Sequence, residues 1–196
     1  MTNKQNVLNC SVTNFTKFGS KRFTMDELAN ELGISKKTIY KYFKSKEDLV
    51  VESVIFLIED FKDDIKTIID SQNEPITSII LIYKKAFEHL KHFKPSFIFG
   101  LKKYYPKANT IFDDFRDSFT KTTIYNLLYE AKKLGIIKQE INLNLFCELY
   151  FKRFEEIAFK TNNLFDTYNN KELLNHLIIY NLRGITISNY KNHYFE

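Results

Sequence analysis

Apolar residues recur every three or four positions along most of the chain, and this spacing places them on one face of a helix. In the clearest case, a long helix expected over about residues 45–71, the stripe is formed by Val50, Val54, Ile58, Phe61 and Ile65. Similar stripes follow toward the C-terminus, and the 196 residues include only 5 Gly and 3 Pro. The pattern therefore predicts an all-α protein of about nine helices.

Two short helices joined by a tight turn are predicted within residues 23–43. Thr24 is a good N-cap, and Glu27 stands three residues later, which is the spacing of a capping box. Gly33 can adopt the left-handed conformation that ends a helix, and Ser35 is the next N-cap. The second short helix is expected to run to about residue 42.

The second of these helices has one apolar face and one face of hydrogen-bond donors. Ile39 and Phe43 are expected to face inward. The outward residues are lysines, a threonine and tyrosines, with no carboxylate among them: Lys36, Lys37, Thr38, Tyr40, Lys41 and Tyr42. A helix presenting such a set fits a DNA major groove, about 12 Å wide, in the helix-turn-helix manner.

Two flanking residues complete the predicted DNA-binding set. Ser45 caps the long helix and places Lys46 in its first turn, where a cation opposes the helix dipole. We therefore expect Lys46 to meet an external anion, a DNA phosphate, together with Tyr42. Thr24, at the start of the first short helix, is the other flanking residue predicted to contact DNA. The turn at Lys21 and Arg22 could also reach the phosphate backbone.

The charge distribution agrees with this location of the DNA contacts. The formal net charge is +5, and residues 1–49 contribute +4 of it, from 9 Lys/Arg and 5 Asp/Glu. Concentration of positive charge in the segment with the helix-turn-helix is what a phosphate-binding module requires.

The segment SKKTIYKYFKSKEDL, residues 35–49, resembles the recognition helix and following turn of the TetR-like family of bacterial transcriptional regulators. The first helix of that family is matched here by Val7, Leu8, Cys10, Ser11, Asn14, Phe15 and Gly19. Asn14 replaces a usual leucine and Phe23 a usual threonine, so packing of the first helix is expected to differ locally. The motif covers about 45 of the 196 residues.

The resemblance implies a helix-turn-helix DNA-binding domain over residues 1–48 and a helical ligand-binding and dimerisation domain over residues 49–196. In the family, the long helix after the DNA-binding unit transmits ligand binding. The implied partners are double-stranded DNA with an inverted-repeat operator, a second copy of the chain and a small-molecule effector of unknown identity. No cofactor is expected.

The last two predicted helices carry apolar residues around more than one face. A helix that covers a single core needs only about a 100° apolar stripe, so the surplus calls for a second partner. The resemblance supplies that partner as a four-helix interface between two copies. The residues predicted for this interface are Tyr150, Phe154, Leu177, Ile178 and Ile185.

An aromatic cluster in the middle of the chain is the candidate small-molecule site. The chain contains 19 Phe and 12 Tyr. The residues expected to line a cavity are Phe87, Phe93, Phe97, Tyr104, Phe112, Phe115 and Phe119, with Phe99 beside them. Simple core packing is the alternative for each of these side chains, and the existence of a pocket rests on the resemblance.

Motifs for catalysis or metal binding are not found in the sequence. It has no Gly-rich phosphate loop, no Cys/His pair at zinc spacing and no nucleophile elbow. His89 and His92 lie one turn apart, but such a pair is more often inert than a metal site. The two cysteines, Cys10 and Cys147, are expected to be buried, unpaired thiols. An enzymatic function is therefore not predicted.

The sequence also favours a protein that is not embedded in a membrane. The most apolar run, residues 79–83, is far too short to span a bilayer. Residues 1–6 are mostly polar and do not resemble a signal peptide. We therefore expect a soluble cytoplasmic protein.

Two functions remain open from the sequence. The first is a homodimeric transcriptional repressor that a small, partly apolar molecule releases from its operator. The second is a DNA-bound dimer on the same scaffold whose output comes from a protein partner, without a small-molecule inducer. A large enclosed cavity would favour the first function, and an exposed apolar patch outside the dimer interface would favour the second.

Overall fold

The structure is a computed structural model that describes residues 3–151 and 164–196. The first helices, in chain order, are α1 Lys4–Phe18, α2 Met25–Glu31, α3 Lys36–Tyr40, α4 Lys46–Ser71, α5 Pro75–Leu90 and α6 Pro95–Tyr104. The later helices are α7 Pro106–Ser118, α8 Tyr125–Lys133, α9 Leu143–Tyr150, α10 Leu164–Thr167, α11 Asn170–Leu174 and α12 Tyr180–Ile185. Across the described ranges there is no strand, only one isolated antiparallel bridge between Ile137 and Thr186. The predicted all-α class is confirmed.

Two helical runs contain a wider turn. Phe119–Ile124 is π-helical and joins α7 to α8, and Asn175–Ile179 is π-helical and joins α11 to α12. At the first of these turns, the backbone N–H of Tyr125 donates to the carbonyl of Thr120, five residues earlier. Such turns insert one residue into the helical repeat and shift the side chains that follow around the helix axis. Residues 106–133 are therefore helical throughout, with this wider turn inside the run.

Backbone contacts divide the chain into two compact units. Unit 1 comprises residues 1–61 and 92–114, and unit 2 comprises residues 62–91 and 115–196. Residues 49–61 and 92–114 thus pack with the N-terminal helices, although the predicted domain boundary lies between residues 48 and 49. That boundary stays a prediction about which residues form the DNA-binding module.

Unit 1 is built around the predicted helix-turn-helix. Asn3 caps α1 by accepting a hydrogen bond from the N–H of Asn6 at 2.9 Å. Helix α6 packs against α1, and the N–H of Lys94 donates to the carbonyl of Thr16 at 2.9 Å. The core of the unit is formed by Phe15, Leu28, Ile39, Phe43, Leu49, Phe97 and Leu101. The prediction that Ile39 and Phe43 face inward is confirmed.

Unit 2 is organised around α5, which packs against α8 and α11. Pro75 opens this helix, and the carboxylate of Glu74 accepts hydrogen bonds from the N–H groups of Ile76 at 3.2 Å and Thr77 at 2.6 Å. The buried residues of the unit include Ile76, Ile79, Ile80, Phe87, Leu128, Ile178 and Leu182. No helix within residues 3–151 or 164–196 combines the length and apolar character needed to cross a bilayer.

Candidate DNA-binding surface

Helix α2 begins with a reciprocal pair of hydrogen bonds. The N–H of Glu27 donates to Thr24 Oγ1 at 3.2 Å, and the N–H of Thr24 donates to Glu27 Oε2 at 2.6 Å. The predicted capping box is therefore present. These bonds hold the pKa of the Glu27 carboxyl below its usual value, because they stabilise the charged form. Thr24 is exposed at this helix start.

The turn between α2 and α3 depends on one glycine. Gly33 has a φ of 63°, in the left-handed region that favours glycine. Its N–H donates to the carbonyl of Asn30 at 3.1 Å, and the N–H of Ile34 donates to the carbonyl of Ala29 at 2.9 Å. These bonds satisfy the last carbonyls of α2 and redirect the chain into α3, as the sequence predicted.

Helix α3 is short and held at both ends. The N–H of Thr38 donates to Ser35 Oγ at 3.1 Å, and the two hydroxyl groups lie 3.0 Å apart. Ile39 is fully buried beneath the helix. The α-helix ends at Tyr40 rather than at residue 42, but the N–H of Phe43 still donates to the carbonyl of Ile39 at 3.1 Å. The backbone therefore keeps a helical course past Tyr40.

The outer face of α3 presents cations and hydroxyl groups to solvent. Lys37, Tyr40 and Lys41 are exposed, and within the described part of the chain no carboxylate pairs with either lysine. Lys36 differs, because its ammonium lies 2.9 Å from Asp26 Oδ1 and this contact raises its pKa. Tyr42 is half-buried, with its ring edge-to-face against Phe43 at 6.5 Å. Lys37 and Lys41 are thus the most available cations of the predicted base-reading set.

Lys46 has acceptors inside the protein that the sequence did not indicate. Its Nζ donates to the carbonyl of Phe23 at 2.6 Å and to the carbonyl of Lys21 at 3.2 Å. Burial lowers the pKa of this ammonium, and the charge of Lys21 lowers the pKa further. The Lys46 side chain therefore bonds the start of α4 to the loop between α1 and α2. The expected phosphate contact of Lys46 stays a prediction.

Asn14, where the family resemblance has leucine, has a clear structural partner. Its Nδ2 donates to Glu31 Oε1 at 3.0 Å and to the carbonyl of Cys10 at 2.9 Å. The bond to Glu31 connects α1 to the last residue of α2, so Asn14 positions the helix-turn-helix. In the sequence, Asn14 stands out as a polar residue within an apolar stripe. The sequence did not indicate its partner, Glu31, which lies 17 residues away.

The predicted pocket residues divide between the two units. Phe93, Phe97, Tyr104 and Phe112 belong to unit 1, and Phe87, Phe115 and Phe119 belong to unit 2. Phe93 and Phe97 are buried against each other with ring centroids 5.3 Å apart, whereas Phe99 and Tyr104 are exposed.

In unit 2, the predicted residues form one aromatic cluster centred on Tyr83. Its ring lies 6.4 Å from that of Phe87, 6.0 Å from that of Phe119 and 5.1 Å from that of Phe151. Phe115 stacks on Phe119 at 6.0 Å. Tyr83 and Phe151 were not predicted as pocket residues. The sequence alone did not show which aromatic side chains come together.

The predicted dimer-interface residues have different environments. Tyr150 is exposed and Leu177 is half-buried, whereas Phe154 lies outside the described residues. Ile178 is 0 % exposed and Ile185 is 7 % exposed, so both belong to the core of unit 2 and do not form an accessible face of one chain. The apolar residues that α9 does expose are Leu145 and Leu149, one turn apart. Leu145 and Leu149 fit the same helical pattern of apolar residues, but they are not among the residues predicted for the dimer interface.

Comparison with known proteins agrees with the geometry of the N-terminal unit. Residues 11–52 match the family model described as "Bacterial regulatory proteins, tetR family". The chain is 27 % identical over 169 residues to an uncharacterized HTH-type transcriptional regulator, YvaF of Bacillus subtilis (strain 168), covering 84 % of this chain and 86 % of YvaF.

Solved structures share the fold over nearly the whole chain. The regulatory protein TetR from Rhodobacter sphaeroides superimposes with a TM-score of 0.74 at 16 % identity, covering 92 % of this chain and 97 % of that one. The regulator FadR from Bacillus subtilis, solved in complex with stearoyl-CoA, superimposes with a TM-score of 0.70 at 19 % identity, covering 93 % and 100 %. The match at residues 11–52 identifies a helix-turn-helix unit of the kind found in bacterial regulatory proteins of the tetR family, and the solved structures show that the chain shares the fold of such regulators.

Proposed function

We propose that this protein is a homodimeric repressor that binds an inverted-repeat operator and is released from it by a small, partly apolar molecule. The observation that carries the DNA-binding part is the outer face of α3. Lys37 and Lys41 stand there without ion-pair partners in the described residues, on a helix held in place by the buried Ile39. Cations that no internal carboxylate neutralises are suited to DNA.

The predicted contacts fall into two classes. Lys36, Lys37, Thr38 and Lys41 are assigned to base edges, and Thr24, Tyr42 and Lys46 to phosphate oxygens. Only base contacts distinguish one sequence from another, whereas phosphate contacts set position and salt dependence. A two-fold dimer requires half-sites in inverted repeat with centres about 34–36 Å apart or a near multiple of that distance.

The first experiment identifies the operator and then tests Lys37. Genomic fragments retained by the protein are sequenced, and the affinity is measured on the recovered operator and on a scrambled duplex. Lys37→Ala should cost about 1–3 kcal/mol on the operator and much less on the scrambled duplex. Lys66→Ala, at an exposed lysine of α4 in unit 2, serves as the control. Equal affinity of the wild type for both duplexes at physiological salt would contradict the proposed function.

The effector part of the proposal is supported by the aromatic cluster around Tyr83 and by FadR, whose structure contains stearoyl-CoA. A ligand raises the free energy of unfolding by about 2.7 kcal/mol at a hundredfold excess over its Kd. A thermal-shift series of acyl-CoA molecules of increasing chain length should therefore raise Tm and also weaken operator binding. Phe119→Leu should reduce the Tm shift with little change in the Tm of the free protein, since Phe119 is only half-buried.

The same measurements of Tm and operator affinity distinguish this proposal from the alternative, a DNA-bound dimer that acts through a protein partner. Compounds that stabilise the protein without changing operator affinity would exclude the proposed coupling between the two sites. If no compound of the series binds, a DNA-bound dimer that acts through a protein partner becomes the better account.

A further inference from the structure

A group of cations and aromatic rings on unit 1 joins Lys21, whose turn was expected to reach the phosphate backbone, to residues of α6 that lie outside the predicted DNA-binding set. Lys21 Nζ lies 5.1 Å from the centroid of the Tyr104 ring, and Lys103 Nζ lies 5.4 Å from the same centroid. Lys103 Nζ is also 5.4 Å from the centroid of the Phe99 ring. The side chains of Tyr104 and Phe99 are 41 % and 60 % exposed. These four residues are called the Tyr104 patch below.

The Tyr104 patch has an excess of positive charge without an internal counter-ion. Lys21 and Lys103 are exposed, and neither forms an ion pair with a carboxylate in the described residues. Lys21 also disfavours the charged form of Lys46, after the larger effect of burial. Two ammonium groups drawn to one ring raise the local positive potential, which attracts anions.

Lys21 and Lys103 reach the Tyr104 ring from different elements. Lys103 lies in the last turn of α6, where a cation interacts favourably with the helix dipole. Lys21 belongs to the loop after α1, and its ammonium approaches the same ring from outside α6. Two separate elements therefore direct a cation to Tyr104.

The loop that carries Lys21 is held firmly against α6. Tyr105 Oη donates to the carbonyl of Ser20 at 3.4 Å, and both residues are buried. Gly100 permits this approach, because a Cβ at that position would lie 3.1 Å from Ser20 Oγ. The patch is thus largely pre-formed, so ordering Lys21 for a ligand costs little backbone entropy.

The Tyr104 patch is continuous with the predicted phosphate-contacting residues. The carbonyl of Lys21 itself accepts a hydrogen bond from Lys46 Nζ, and Thr24 follows three residues later at the start of α2. A group of cations that adjoins a DNA-binding helix-turn-helix is complementary to the phosphate backbone of the same duplex.

We propose that the Tyr104 patch is an additional phosphate-binding site, at which Lys21 and Lys103 contact the backbone of duplex DNA beside the contacts of Thr24 and Lys46. The inference rests on the proposed DNA binding and extends its footprint to α6. The patch supplies affinity and not sequence discrimination, because phosphate contacts do not distinguish bases.

The test is the salt dependence of DNA binding by Lys21→Ala and Lys103→Ala. Each neutralised contact should lower the slope of log affinity against log salt by about 0.9 per half-site. The loss of affinity should be equal on operator and scrambled duplexes. The matched control is Lys133→Ala, since Lys133 Nζ also lies over a tyrosine ring, 4.7 Å from that of Tyr129, but in unit 2 and paired with Glu130.

The outcomes separate this inference from the proposed function. If the wild type prefers its operator but both variants keep its salt slope, the additional site is overturned and the repressor is not. If those variants instead lose binding to phosphatidylglycerol vesicles, the patch serves an anionic surface other than DNA, and the inference is overturned as well. If the wild type does not distinguish the duplexes but both variants lower its slope, the phosphate site stands and the sequence-reading function fails.

Discussion

At the scale of single residues, Lys46 is a donor to the main chain of the protein and also a predicted phosphate contact. Its ammonium bonds the carbonyls of Phe23 and Lys21, and it lies at the start of α4 next to the predicted DNA contacts. Both acceptors are main-chain atoms of the loop between α1 and α2. A loss of DNA affinity on mutating Lys46 would therefore report the predicted phosphate contact together with the order of this loop.

Lys46→Met should lower the free energy of unfolding by about 1–2 kcal/mol, because the methionine keeps the apolar stem but leaves both carbonyls without their charged donor. Urea denaturation measures this change. Lys44→Met is the control, since Lys44 is exposed and has no ion-pair partner among the described residues. Equal denaturation midpoints for both variants would show that Lys46 does not stabilise the loop.

The two cysteines should react slowly with alkylating reagents in the native protein. Burial raises the pKa of the Cys147 thiol to about 11, and burial with a hydrogen bond to Glu31 raises the pKa of Cys10 to about 11. A raised pKa keeps the thiol protonated at neutral pH, and only the thiolate is the nucleophile. Iodoacetamide labelling at pH 7.5 should be slow before addition of urea and fast after it, and should accelerate as pH rises toward 11. Rapid labelling of Cys10→Ser in the native state would contradict this for Cys147.

At the scale of elements, unit 2 joins the C-terminal segment to the start of α5. Asn192 Nδ2 lies 2.9 Å from Thr77 Oγ1, 2.9 Å from Tyr190 Oη and 3.2 Å from Glu74 Oε2. Burial raises the pKa of Tyr190, so its hydroxyl stays neutral in this network. The same Glu74 carboxylate caps α5, which links the helix start to the chain end.

Asn192→Leu should lower the free energy of unfolding by about 1–3 kcal/mol, because it leaves buried polar groups without a donor. Thermal and urea denaturation both measure this loss. Asn189→Leu, at an exposed position three residues earlier, should change stability much less. Similar effects of the two substitutions would mean that the network does not hold the C-terminal segment.

At the scale of the whole molecule, the proposed dimer depends on which apolar residues one chain leaves uncovered. Leu145 and Leu149 are 55 % and 51 % exposed on α9, and Tyr180 is exposed on α12. Ile178, in the π-helical turn before α12, and Ile185, in α12, are instead buried in the core of unit 2. The accessible side of these helices is therefore the surface on which a second copy is expected to pack.

The double substitution Leu145→Glu and Leu149→Glu should give a folded monomer of 23.4 kDa, because it places two charges in the expected interface and none in the core. Ile178→Glu should instead unfold the protein, since a charge would be buried without a partner. Size-exclusion chromatography with light scattering and circular dichroism distinguish these results. A folded dimer of the double variant would place the interface elsewhere.

The local features of the DNA-binding unit could be predicted from the sequence because their partners are close along the chain. The bonds between Thr24 and Glu27 and between Ser35 and Thr38 span three residues, and the turn needs only the positive φ of Gly33. The apolar spacing of the helices is local in the same sense, so the all-α class could be predicted as well.

Only the tertiary structure decided which of several equivalent residues meet. The helical pattern makes Ile178 and Leu149 equally suitable for an interface, but packing against α5 buries the first, and the second stays exposed. The acceptors of Lys46 lie 23 and 25 residues away, and Lys21 meets the Tyr104 ring across more than 80 positions. Periodicity determines which face of a helix is apolar, whereas the approach of distant segments determines what covers that face, and no local spacing encodes it.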